Sequence, residues 1–382
     1  MFIYIIFLIV IIAIDLSRNR SKLLLYSVVF LGGLFLCFGY MTGSDWRFYE
    51  LYYIELQKNI VYNEEIEFGY FVYMLPFILM GINFWSFFIF TKIILYLTIS
   101  HFIYKYIPKY FYFAFAIFYC FIAIFIFIDN PMRYLIGSVL FLFSFNFILE
   151  RKLIKFLFVC FLSFLFHKSF LILIPLYFIL DKNYKTRYVV IAFISFNILI
   201  YIFSSQLILL FKAVDLLTIF NSQNMQGKIS EYILRDDIKD KQFTFGLLSK
   251  YIIFIILILF KDKIESYSKY GKIIFNSSIL TLFILRLALV WPVTVRFVIP
   301  LSIFFSVSLA MVVSFSIGFK KLIYYSIILL IYTGTLYSQI TSAYKYIPYS
   351  NYLSYLTSPK PSYTYRNNYN YINSPYKDKS PR

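Results

Sequence analysis

Only two histidines, His101 and His167, and three cysteines, Cys37, Cys120 and Cys160, occur in the chain. Two histidines cannot build a His-rich metal site. The cysteines are odd in number, fall inside apolar runs and fit no metal spacing, so they read as core residues. No Gly-rich phosphate loop or Walker sequence is present, which argues against direct use of ATP. A Gly-x-Ser-x-Gly elbow and a Cys–His nucleophile pair are missing too. There is no arginine ladder of a voltage sensor and no TVGYG-like filter. Charge is scarce, at 14% of residues. The first apolar run, Phe2 to Leu16, lacks a basic flank before it and a small-residue cleavage site after it, so it reads as a retained span rather than a signal peptide.

What fills the chain instead is apolar: 61% of its residues are hydrophobic. Soluble domains hold about 45–50%. The fold class is therefore an all-α polytopic membrane protein with about 10–13 transmembrane or re-entrant helices. Full spans are expected near 2–16, 22–42, 84–103, 111–128, 134–149, 188–211, 247–260, 273–290, 297–316 and 322–338. The stretch 68–80 is short for a crossing and reads as re-entrant or interfacial. The net charge of +18 does not imply nucleic acid. Of the 36 basic residues, 17 lie in alternate short loops, which places those loops in the cytoplasm. Counting crossings then puts both termini outside. Residues 1–338 form the membrane domain, with outer loops 43–67 and 212–246; residues 339–382 form a polar tail with ten tyrosines. The tail carries six bases and one acid, a charge that favours the cytoplasm and opposes the crossing count.

One apolar run is interrupted in its middle. From Leu153 to Leu180 the chain is mostly apolar, with the dipeptide His167-Lys168 and Ser169 halfway along it. Each arm spans about 20 Å as a helix, less than the hydrocarbon core of about 30 Å. Both flanks are basic (Arg151, Lys152 and Lys155; Lys182, Lys185 and Arg187), so the run reads as a V that enters and leaves on one side. Ionisable groups at such an apex face a cavity or a bundle interior. With this topology Arg133, Lys168, Arg286 and Arg296 join His167 as cations facing outward within membrane depth. Arg grips phosphate oxygens in pairs and Lys acts as a point charge. Any one of the arginines alone reads as a headgroup anchor, but Arg133 and Arg296 open helices on the outer side against the positive-inside tendency, which weighs the two readings evenly for them. The outer loop 43–67 is acidic, six acids to two bases, and holds Gly43-Ser44-Asp45-Trp46-Arg47-Phe48-Tyr49. Acid, cation and rings together suit a sugar, but the same mixture describes an interfacial amphipathic helix, and residue chemistry alone points to the helix.

Taken in order, these pieces resemble the EpsG/Wzy-like polysaccharide polymerases. The resemblance rests on Gly43-x-Asp45-x-x-x-Tyr49-x-x-x-Tyr53, Glu67-x-Gly69-Tyr70, Asn130-x-x-Arg133, Phe166-His167-Lys168-Ser169 and Arg296-Phe297. It covers residues 39 to about 300, with Tyr134 standing where many relatives carry Gln. It implies a membrane-embedded glycosyltransferase similar to the GT-C type, a multi-pass protein of the bacterial cytoplasmic (inner) membrane. Such an enzyme passes a growing chain on undecaprenyl pyrophosphate to another lipid-linked repeat unit, building O-antigen, capsule or exopolysaccharide. Its partners would be that lipid-linked oligosaccharide, membrane lipid, and a chain-length regulator and flippase; no cofactor and no metal are implied. Arg133 and Arg296 would clamp the pyrophosphate with support from Lys168 or Arg286. His167 and Asp45 are the candidates for the base that takes the acceptor proton. Arg47 and Tyr49 are placed with the substrate, and Glu67 beside them, closing the start of its helix. A flippase for the same lipid-linked unit and an O-antigen-ligase-like transferase are the competing readings.

Overall fold

The computed structural model describes residues 1–17, 20–129, 131–216 and 245–376. Most of the expected outer loop 212–246 lies outside them. The described residues are mostly helical, with one two-residue strand pair among them. Five helical stretches are long and apolar enough to cross a membrane: Phe84–Tyr106, Met132–Leu149, Thr186–Leu207, Pro292–Phe315 and Gly318–Ser342. Seven shorter apolar helices accompany them.

Position in the bundle follows from which sides of a helix are apolar. Helix α6 (Phe111–Phe118) buries every residue, and α15 (Ser302–Phe315) buries nearly all of its side chains. Both are apolar all round, as central helices must be. At the rim, α11 (Thr186–Leu216) exposes Ile191, Ile194, Ile198 and Ile202, spaced at three and four residues like a lipid-facing stripe. The N-termini obey ordinary capping rules. Ser21 accepts a hydrogen bond from Leu24 N at the start of α2 (Lys22–Leu36), and Asn83 accepts one from Ser86 N at the start of α5 (Phe84–Tyr106).

Helix α6 does not continue as a regular helix. It passes into π turns over Tyr119–Ala123 and Phe125–Asp129 and ends just before Pro131. Lys92 of α5, fully buried, donates to the carbonyl of Phe127 at 3.1 Å, giving that stretch a partner for its displaced backbone. Next comes α7 (Met132–Leu142), which opens with Arg133 in its first turn.

The interrupted run folds as a V. Helix α9 (Leu153–Phe166) ends at His167, whose backbone is extended. A 3-10 turn, Lys168–Leu173, and the short helix α10 (Leu176–Ile179) return. The two ends meet: Arg151 Nη2 lies 2.7 Å from Asp181 Oδ2, and the rings of Phe156 and Tyr177 are 5.1 Å apart. Helix α4 (Phe68–Leu79) reaches the apex of the V, where the backbone of Gly69 packs on Leu165. A Cβ at 69 would lie 2.6 Å from the Leu165 carbonyl oxygen, so only glycine permits this approach.

The tail is folded onto the rest of the molecule. Helix α16 runs from Gly318 to Ser342. Past it, β2 (Ser350–Asn351) pairs antiparallel with β1 (Gly39–Tyr40), and a helix, α17 (Tyr363–Asn373), lies against α3 (Trp46–Lys58). Arg366 of α17 donates to both carboxylate oxygens of Glu50 at 2.8 and 2.6 Å, with both side chains buried. Trp46 meets Tyr363, and Tyr40 meets Tyr352 and Tyr355. The tail therefore shares a face with the 43–67 segment. Two of its basic residues, Lys345 and Arg366, are paired there with Asp129 and Glu50.

Candidate functional site

Four segments meet on the face that carries α3. They are the turn leading into α3, the end of the π stretch with the start of α7, the apex of the V, and the 3-10 stretch Pro292–Leu301. The turn leading into α3 depends on Gly43, whose φ is +83° and whose Cβ would fall 1.9 Å from the Ile128 carbonyl oxygen. Glycine alone tolerates both the conformation and the contact. That close approach sets the residues after Gly43 against Asp129. Ser44 N and Ser44 Oγ donate to Asp129 Oδ1 at 3.0 and 2.5 Å, and Asp45 N donates to the Asp129 carbonyl at 3.2 Å. Ser44 Oγ also lies 3.2 Å from Asp45 Oδ1.

Asp45 is half-buried beside a second carboxylate. Its pKa is raised to about 6, by burial first and by Asp129 second, while Lys345 and Arg296 oppose the rise. Arg133 follows Asp129 in the next helix: its Nε donates to Tyr49 Oη at 3.3 Å, its Nη1 pairs with the Glu67 carboxylate, and its guanidinium lies 6.0 Å from the Phe48 ring centroid. Glu67 is the residue preceding α4, yet its side chain makes no capping bond there. The expected helix-closing role is thus replaced by an ion pair, because Arg133 competes for the carboxylate more strongly than a backbone N–H does.

At the apex, His167 Nδ1 accepts from Ser169 N at 3.3 Å and lies 2.7 Å from Ser169 Oγ, capping the 3-10 turn. In the neutral ring this leaves the proton on Nε2. Tyr134 lies edge-on to the imidazole, with ring centroids 4.9 Å apart. Arg296 and Arg133 both act electrostatically on His167, and Arg296 acts on Asp45 and Tyr134 as well. Asp45, Tyr49, Glu67, Arg133, His167 and Arg296 therefore come together from elements far apart in sequence. The EpsG family model matches residues 22–354, most of the chain.

The chain belongs to the EpsG family.

That family consists of Wzy-like polysaccharide polymerases. No curated protein and no solved structure matches the chain. As an EpsG-family protein with five helices among its described residues long and apolar enough to cross a bilayer, it is a multi-pass membrane protein with a polysaccharide-polymerase role. Lys168, next to His167 at the apex, has an exposed side chain. Two other residues expected at the site have their partners elsewhere. Arg47 turns to the tail, donating to the Asn367 carbonyl at 3.1 Å. Arg286, buried in α14 (Gly271–Leu287), has Tyr251 and Lys250 of α12 (Phe245–Leu259) as its electrostatic neighbours. Sequence reasoning missed Ser44, Asp129 and Lys345 as neighbours of Asp45. The available signals were an acid directly before Asn130-Pro131 and a lone lysine among tail tyrosines.

Proposed function

We propose that this EpsG-family protein polymerises undecaprenyl-pyrophosphate-linked oligosaccharide repeat units into surface polysaccharide. The glycosyl transfer takes place on the outer side of the bacterial cytoplasmic membrane. Arg133 and Arg296 hold the pyrophosphate and offset the negative charge that grows on it as the glycosidic bond to it breaks. Asp45 takes the proton of the attacking acceptor hydroxyl. His167, with Nδ1 occupied by Ser169, presents Nε2–H as a donor to a phosphate or sugar oxygen rather than acting as the base. Tyr49 and Glu67 fix the Arg133 fork, and Phe48, exposed beside it, offers a ring to the apolar face of a sugar. The observation carrying this reading is that Arg133 and Arg296, from elements far apart in sequence, both act electrostatically on the His167 imidazole. Glu67 and Tyr49 fix the Arg133 guanidinium, and a guanidinium so fixed can grip a phosphate oxygen.

The test is the surface polysaccharide of a strain lacking the gene, resolved on a gel. Loss of a polymerase leaves single repeat units on the surface. Loss of a flippase would leave none, and loss of a ligase would leave long chains on the carrier lipid; either result would overturn the proposal.

A further inference from the structure

We propose that Lys345, carried in by the C-terminal segment, is a positioning residue of this site: through Asp129 and Ser44 it holds the Asp45 carboxylate in register for the acceptor hydroxyl. The inference rests on Asp45 being the base.

The connection is continuous and short. The Lys345 ammonium pairs with Asp129 Oδ2, and Asp129 Oδ1 accepts both hydrogen bonds from Ser44. Ser44 Oγ in turn reaches Asp45 Oδ1, and the Asp45 N–H bonds the Asp129 carbonyl. The backbone is tied in the same place, because Gly43 N donates to the Lys345 carbonyl at 2.9 Å. Lys345 therefore touches the Gly43 end of the turn directly and the Asp45 end through Asp129. Asp129 is buried, so without a cation it would sit as a second bare carboxylate beside Asp45.

The tail delivers this lysine with little freedom. Tyr4 Oη donates to the Tyr346 carbonyl at 2.7 Å, Tyr352 N donates to Phe38 O at 2.8 Å, and the β1–β2 pair and the Arg366–Glu50 bridge fix the segment beyond. The charged and titratable groups that face Asp45 are Asp129, Lys345 and Arg296, with Tyr49 of α3 and Tyr346 of the tail also within electrostatic reach. Of these, Lys345 and Arg296 favour the carboxylate form and Asp129 opposes it.

A purely structural tether and a positioning lysine differ in what they do to pH dependence. The experiment measures chain growth by the full-length protein in membranes, using the lipid-linked repeat unit extracted from the deletion strain, between about pH 5 and pH 8. Lys345→Met is expected to lower the rate near neutrality by about tenfold and to move the acid limb about one pH unit upward. Lys345→Arg restores both. Asp129→Asn moves the limb the other way, downward, because it removes the like charge. An unchanged limb in Lys345→Met, or an equal upward shift in Asp129→Asn, overturns the proposal. Arg296→Ala is measured alongside. If it polymerises normally, the polymerase site itself has been misassigned; if it is inactive while Lys345→Met behaves as wild type, only the role of Lys345 falls.

Discussion

Arg296 acts on Asp45, His167 and Tyr134 alike, and Arg133 is braced by Tyr49 and Glu67 before any substrate arrives. A brace of this kind fixes the direction of the Arg133 fork. Replacing Glu67 by Gln should loosen the Arg133 fork and slow chain growth by about tenfold with little change in protein level, measured as polymer per cell. The carboxylate at 45 gives a second prediction. With its pKa at about 6, Asp45 is a base above that pH and is protonated below it, so activity should rise through pH 6. Asp45→Asn should abolish that limb along with most of the rate. The stability sign runs opposite to that of an ion-paired acid. The folded state retains a proton that the unfolded chain releases from the ordinary value of 3.8 upward, so this group's contribution to stability declines between that value and about 6. That Asp45, Arg133, His167 and Arg296 stand out was legible in the sequence, because ionisable residues are scarce among its apolar runs. Their partners were not: the Glu67–Arg133 pair joins residues 66 apart and Lys345–Asp129 joins residues 216 apart, and no local spacing encodes either.

At the scale of elements, the V was legible because two short apolar arms with like basic flanks admit few other shapes. The clasp between its ends, Arg151 to Asp181, closes it, yet Arg151 is about half exposed. Its loss should cost no more than about 1 kcal/mol and leave polymer length unchanged. Gly69 is the opposite case. A methyl group there runs into a backbone carbonyl that cannot yield, so Gly69→Ala should destabilise the α4–α9 contact by about 1–3 kcal/mol. A lowered melting temperature of the detergent-solubilised protein checks it. The π turns before Asp129 were hidden, since their residues are as apolar as those of any span; the reason for them appears only when Lys92 is seen to reach the Phe127 carbonyl.

For the whole molecule, the tail is the largest departure from what composition suggests. Its tyrosines and bases read as a solvated end, whereas in the fold they cover α3 and supply Lys345 and Arg366 to buried acids. Breaking the Arg366–Glu50 bridge by Arg366→Met strands a carboxylate that is only 5% exposed, with an expected cost of about 3–5 kcal/mol. The three native cysteines are buried, which leaves a quiet background for labelling. Cysteines placed at Asn59 and Ser362, both exposed, should react with an impermeant thiol reagent from the same side of the membrane, and one placed at Lys109 from the other.

The most direct measurement of the central claim is chain growth by Arg133→Ala, Arg296→Ala and the double variant, each confirmed to insert. If both arginines grip one diphosphate, each single change should cost about a hundredfold or more, and the double should fall little further, because the site has already lost its grip. Wild-type chain length in either single variant, or losses that multiply in full in the double, would mean that the two arginines do not share a ligand.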